Sequence, residues 1–373
     1  MTEHSASSSA PKGKASERRG RTAAVLLISL LCGLLLAEGV VRLADRLGLV
    51  SLQASLADLP AAAGGDEAAQ MDAANGDRPL HVADKRLHHR MAANWSGEFP
   101  AELMQALGRS NAPIRTNSLG LRTAEVTQPK PADVVRIVAL GDSVTFGWGL
   151  RAEDAYPSQL AGLLATLHPE RRYEVINAGV SGYGTWQELR WLEDSGLALQ
   201  PDIVVVQVHL NDAADNLWGS IGVTAGESWL MRHSLLVRLV QRVLARPVPA
   251  NAQPCAADWK VGTEQVCWDS SKTLLDALRS TATGAGARVV LLPAPMRWQV
   301  ETNVRDARAW VTAAQYQNVL RAYAQQNGWL FADPLPAFVQ AAAGGQSLFV
   351  DVGHPNEAGQ RLLAQAVYSA IGE

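Results

Sequence analysis

Thr22–Ala37 is an apolar run without a charge, and with Glu38-Gly-Val-Val41 it reaches about twenty residues, roughly one bilayer core. Downstream the pattern changes to short apolar runs alternating with amphipathic stretches. Val134–Leu140, Tyr173–Asn177, the run from Pro201 to Asn211-Asp212, Ala287–Leu292 and Trp329–Ala332 read as strands. Between them, Tyr156–His168 carries Leu160, Leu163, Leu164 and Leu167 on one helical face. Thr185–Leu199, Ser271–Ser280 (with Leu274, Leu275 and Leu278 aligned) and Ala307–Asn327 read as further helices. Asn356–Ile371 closes the chain with Leu362, Leu363, Ala366 and Val367 on one face. Strands separated by helices pair in parallel through right-handed crossovers. The expected fold is a three-layer α/β/α domain of about five parallel strands, preceded by one N-terminal transmembrane helix.

Lys12, Lys14, Arg18, Arg19 and Arg21 precede the apolar run. The positive-inside rule then keeps the N-terminus in the cytoplasm and places the remainder outside. The expectation is a single-pass inner-membrane protein with a periplasmic domain; a cleaved secretory signal is the main competitor. Residues 1–21 read as a disordered cytoplasmic tail, 22–42 as the anchor, and 43–113 as a linker and extended segment. Residues 114–373 read as the catalytic domain. Within it, 215–262 breaks the strand–helix rhythm, and Ser228–Leu244 is helical, apolar on one face and arginine-bearing on the other. A lid or partner-docking helix is the preferred reading, with a core helix or an interfacial membrane helix as alternatives.

The length of 373 residues suits one large domain with appendages. A net charge of −3 argues against a nucleic-acid partner. Cys32 lies in the apolar run, whereas Cys255 and Cys267 lie close together in the insert. Outside the cytoplasm the latter two are candidates for a disulfide worth about 3 kcal/mol, with two free thiols as the alternative. They have no histidine or further cysteine beside them, so no metal is expected, and no cofactor motif is read. Trp148, Trp186, Trp191, Trp218 and Trp229 line a groove or, more plainly, pack a core.

The chemistry sits where the apolar strand Val134–Leu140 runs into Gly141-Asp142-Ser143. A buried parallel strand delivers one hydroxyl to the carboxyl edge of its sheet in this way. Such a serine is a nucleophile if a histidine reaches it. Asp351-Val-Gly-His354 supplies one, with Asp351 spaced to orient the ring. Asn177-Ala-Gly179-Val-Ser-Gly182 is a glycine-rich loop, and Asn211-Asp212 ends another strand. A loop N–H and an asparagine amide are the donors that a developing oxyanion needs.

These four blocks, with Ser143, Gly179, Asn211 and His354 in order, resemble the SGNH/GDSL hydrolase superfamily from about Ile114 onward. The resemblance implies a flavodoxin-like fold and a Ser143–His354–Asp351 triad. It implies an oxyanion hole made by the Ser143 and Gly179 N–H groups and the Asn211 side chain. His209 stands where the family's third block usually has glycine, and Gly-Asp-Ser is followed by Val144 rather than leucine. Asn117-Ser-Leu-Gly-Leu-Arg122 resembles a stretch found before the first block in membrane-anchored bacterial members, but its spacing assigns it no chemical role. The expected activity is hydrolysis of O-acetyl or short-acyl esters of envelope or exopolysaccharide carbohydrate, with lipid esters also open. An O-acyltransferase, or a non-catalytic subunit of an envelope polysaccharide complex, are the alternatives.

Overall fold

The computed structural model describes residues 29, 33–44, 68, 71–72, 75, 78–84, 86–209, 212, 236, 269–301 and 307–372, with backbone alone at 269–270 and 307–315. The chain divides into two compact units, Met1–Asp58 with Glu227–Pro247, and Leu59–Gly226 with Val248–Glu373. In the first, residues 33–44 are helical and leave Leu34, Leu35, Leu36, Val40 and Leu43 exposed. Glu38 there pairs with Arg42 at 2.8 Å and accepts from the Leu236 N–H at 2.9 Å. Among the described residues no helix is long and apolar enough to cross a membrane. The tail 1–21, Cys32, Cys255, Cys267, Trp218, Trp229 and the insert 215–262 apart from Leu236 lie outside the described residues.

The second unit opens with two antiparallel pairs, β1 (His81–Asp84) with β2 (His88–Met91) and β3 (Ser96–Glu98) with β4 (Pro113–Arg115). Its main sheet comprises β5 (Val134–Leu140), β6 (Arg172–Asn177), β7 (Ile203–Val208), β8 (Arg288–Pro293) and β9 (Leu330–Phe331). Their order is β6-β5-β7-β8-β9, with every neighbouring pair parallel. Counted from β5, this is the 2-1-3-4-5 order of a flavodoxin-like sheet.

Side chains alternate between the two faces of a strand. Ile137, Ala139 and Val205 join one apolar cluster with Leu160, Leu164, Leu363 and Val367. Val138, Leu140, Val204 and Val206 join another with Leu275, Leu278 and Leu320. Helices therefore cover both faces, and β5 and β7 read as nearly continuous apolar runs because both their faces are buried. Each such Leu, Ile or Val contributes roughly 1.5–3 kcal/mol through burial.

The core also reaches further upstream than expected. Leu80, Met91, Trp95, Phe99, Met104 and Ile114 share one cluster with Leu140 and Phe146. The expected boundary at Ile114 therefore moves into the segment read as linker. Strands of three or four residues are too short to show a period, which is why the pattern missed them. Thr185–Leu199 is also not one helix. An α-helix over Thr185–Trp191 passes into a wider turn at Leu192–Gly196 and a tighter one at Leu197–Leu199.

Candidate active site

The crossover from β5 to β6 leaves in one direction and β7 begins the other half of the sheet, so a crevice opens at their carboxyl ends. There the chain turns through Gly141 into a four-residue helix, Ser143–Phe146. A Cβ at Gly141 would stand 2.1 Å from Thr145 Oγ1 and 2.4 Å from Gln207 Oε1, so a larger residue would displace both. Asp142 caps the helix, its Oδ1 accepting from the Val144 N–H at 2.9 Å. Ser143 is buried in the first turn, where a backbone N–H has no intrahelical acceptor.

The loop before the closing helix Glu357–Ile371 brings the second group. Asp351 Oδ1 accepts from the Gly353 and His354 N–H groups at 2.9 and 2.8 Å, which curls the loop. Both Asp351 oxygens lie 2.8–2.9 Å from His354 Nδ1, and His354 Nε2 lies 2.8 Å from Ser143 Oγ. A carboxylate can only accept, so Nδ1 carries the proton and Nε2 is left to accept from the serine hydroxyl. Burial alone would raise the Asp351 carboxyl, but the hydrogen bond and charge of His354, with the two loop N–H groups, hold it at about 2. Trp148 is buried against His354, whereas Trp191 packs in the core and Trp186 stands edge-on to His88. Among the described residues, no group of His, Cys, Asp and Glu side chains could hold a metal ion.

The glycine loop differs from expectation. The Gly179 N–H donates to Asn177 Oδ1 at 3.0 Å, so it is not an available oxyanion donor. A Cβ at Gly179 would stand 2.4 Å from Phe146 N, which makes this a packing glycine that lets the loop lie on the Ser143–Phe146 helix. Three residues on, Gly182 occupies the third position of a turn closed by the Tyr183 N–H to Val180 O bond, at φ +82. That is type II geometry, which favours glycine. The Gly182 N–H has no hydrogen-bond partner among the described residues. Asn211 lies outside the described residues.

Two buried polar groups lie near Asp142, and the sequence singles out only one of them, His209. His209 Nδ1 lies 3.5 Å from Asp142 Oδ2, and the His209 N–H donates to Asp212 Oδ2 at 3.2 Å. Glu188 is fully enclosed, and burial, followed by the Asp142 charge, pushes its carboxyl well above the usual range. Only its tertiary surroundings distinguish it from a surface glutamate on a helix.

The GDSL-like lipase/acylhydrolase family pattern matches residues 139–362, a span that takes in both Ser143 and His354. The chain belongs to the GDSL-like lipase/acylhydrolase family. This GDSL-like protein is 24% identical over 263 residues to an acetylxylan esterase of Xylanibacter ruminicola. The match covers 68% of this chain and 46% of that protein, so the chain spans about half the length of this curated relative. Among solved structures, it is similar to an α/β hydrolase enzyme from the metagenome of Lake Arreo, Spain, at 24% identity and a TM-score of 0.43, covering 64% of this chain and 95% of that one. It is also similar to an acetylxylan esterase from Geobacillus stearothermophilus, at 20% identity and a TM-score of 0.43, covering 64% and 94%.

Proposed function

We propose that this chain is a serine esterase that removes O-acetyl or other short-acyl groups from carbohydrate. The observation that carries this reading is the Ser143–His354–Asp351 relay, with contacts of 2.8 Å from serine to histidine and 2.8–2.9 Å from histidine to aspartate. Ser143 Oγ attacks the ester carbonyl as its proton passes to His354 Nε2. Asp351, held ionised, stabilises the imidazolium and keeps the ring in place. The oxyanion lies against the Ser143 N–H, the Gly182 N–H and the Asn211 amide, each donor worth about 3 kcal/mol in the transition state. His354 then returns the proton to the departing sugar hydroxyl. Water repeats the sequence on the acyl-enzyme and releases the acid.

The carbohydrate side of the reading is supported by the acetylxylan esterase relative, and its short acyl group by the same name. We also place the enzyme on a membrane tether formed by residues 22–42, with the catalytic unit in the periplasm and envelope or exopolysaccharide esters as substrates. Support comes from the basic flank before the apolar run and from exposed Leu34, Leu35 and Leu36 on the described helical part.

The test is acetate release by the full-length chain from acetylated xylan and from a chromogenic acetyl ester, beside Ser143→Ala. Turnover by the wild type and none by the folded variant is the expected result. Equal rates for the two proteins, or no turnover of any acyl ester, would overturn the reading. Acetyl transfer to an added oligosaccharide at the expense of hydrolysis would redirect it to an acyltransferase.

A further inference from the structure

Asn117-Ser-Leu-Gly-Leu-Arg122 takes no part in the relay, yet each of its polar and glycine positions has a definite geometry. Asn117 Oδ1 accepts from the N–H groups of Leu119 and Leu121, both at 2.9 Å, and its Nδ2 donates to Ala124 O at 3.0 Å. Gly120 stands at φ +76, where a Cβ would also lie 2.5 Å from the Met91 carbonyl oxygen. The turn held in this way sends Arg122 inward until it is only 1% exposed.

The guanidinium meets backbone rather than acid. Nη1 donates to Phe146 O at 2.8 Å and Gly147 O at 2.9 Å, and Nη2 to Leu150 O at 2.6 Å. Its carbon lies 4.6 Å from the centre of the Phe146 ring. Among the described residues no carboxylate pairs with it directly. Burial draws the group down to about 10 against the pull of Glu153 and Asp154, so it stays charged at neutral pH.

The Phe146 and Gly147 carbonyls belong to the turn that carries the nucleophile, and Leu150 follows in the next one, its N–H donating to Gly147 O at 3.1 Å. Phe146 closes the Ser143–Phe146 helix, and the N–H groups of Gly147 and Trp148 both donate to Ser143 O at 3.0 Å. Trp148, in the same turn, backs the His354 ring.

We propose that Arg122 is a positioning residue of the esterase site, a clamp that gathers the Phe146, Gly147 and Leu150 carbonyls and so sets the distance between Ser143 Oγ and His354 Nε2. The inference rests on the esterase reading. A planar fork can hold several carbonyls at fixed angles, whereas a lysine ammonium is a compact charge on a flexible stem. Without the fork, three buried carbonyls lose their shared donor and the turn relaxes away from it. A displacement of about 1 Å at a reacting pair lowers the rate about 100-fold.

The test uses full-length Arg122→Lys and Asn117→Ser proteins beside the wild type. Three quantities are read: kcat and KM on a chromogenic acetyl ester, the rate of covalent labelling by a fluorophosphonate, and the melting temperature. Arg122→Lys is expected to fold, to keep KM within about twofold, and to lose kcat and labelling rate about 30- to 100-fold. A folded Arg122→Lys with wild-type kcat and labelling overturns the clamp. If that variant does not fold, Asn117→Ser decides, because it keeps the guanidinium and slackens only the turn that delivers it. A fall in kcat and labelling at unchanged KM then supports the clamp, and wild-type values overturn it. A wild type that labels but hydrolyses no ester sinks the esterase reading alone, leaving the labelling rates to judge Arg122. A wild type that does not label overturns both.

Discussion

Trp148 packs its indole against the imidazole of His354, with ring centroids 5.8 Å apart and planes 35° apart. Phe99 stands edge-on behind it at 5.7 Å. At 3% exposure the indole is a backing for the histidine rather than an open groove wall. Trp148→Ala is expected to lower stability by about 3–5 kcal/mol, as for other buried aromatics. It should also reduce kcat about tenfold by freeing the ring it supports. Denaturant titration and steady-state kinetics check both effects, and an unchanged kcat in the folded variant would remove Trp148 from this role.

Asp351→Asn keeps the side-chain shape but lets Nδ1 face an amide, so the histidine tautomer is no longer set. The expected loss in kcat is about 10⁴-fold with the fold intact. The same carboxylate bears on acid stability. Its folded value of about 2 lies below the ordinary aspartate value of 3.8, so its stabilisation is present above about pH 4 and is lost as pH falls toward 2. With partial exposure discounted, this is on the order of 1–2 kcal/mol. Acid titration of the wild type should show this step and that of Asp351→Asn should lack it; superimposable curves would refute the assignment.

His89 sets a second pH dependence, outside the relay. Its Nε2 lies 3.0 Å from Ser181 O, next to the Gly182 turn. Burial, followed by the neighbouring His81, lowers the ring to about 4. Between pH 4 and 6.5 the unfolded chain binds more protons at this site than the folded one, so stability rises with pH across that window. The span is worth up to about 3 kcal/mol. Melting temperatures from pH 4 to 7 should rise for the wild type, and His89→Gln should flatten the slope.

Gly179 and Gly182 separate packing from donation. Gly179→Ala forces a Cβ to 2.4 Å from Phe146 N and 2.7 Å from the Thr145 carbonyl carbon. An overpacking loss of about 1–3 kcal/mol follows, and activity should fall together with the melting temperature. Gly182→Ala strains a turn at φ +82 by roughly 1 kcal/mol, and it should reduce kcat more than stability because the N–H it re-aims is the proposed oxyanion donor. Equal effects of the two changes on kcat at matched stability would count against Gly182 as the donor.

Five strands and the loops that carry Ser143 and His354 were legible because each rests on local order. Val134–Leu140 is apolar apart from Arg136 since both its faces are covered, and the chain must turn where Gly141-Asp142 ends the run. Asp351 and His354 are three residues apart, so one tight turn suffices to join them. The paired strands His81–Asp84 and His88–Met91 were not legible, because four residues are too few to show alternation. Gly179 was read as a donor because a glycine-rich loop looks alike whichever N–H is left open, and the choice turned on Asn177 reaching back to it.

Taken alone, the amino-acid sequence determined the strand–helix alternation, the charge-flanked apolar run near the start, and which hydroxyl and imidazole stand at loop ends. Those properties follow from periodicity and short-range spacing, which any stretch of chain carries within itself. Tertiary structure decided the rest: that Arg122 gathers carbonyls 24 to 28 residues away, that Glu188 is closed off beside Asp142, and that Trp148 backs His354 across 206 positions of chain. Partnerships of this kind depend on which surfaces pack together at ångström distances, and no period along a chain encodes that.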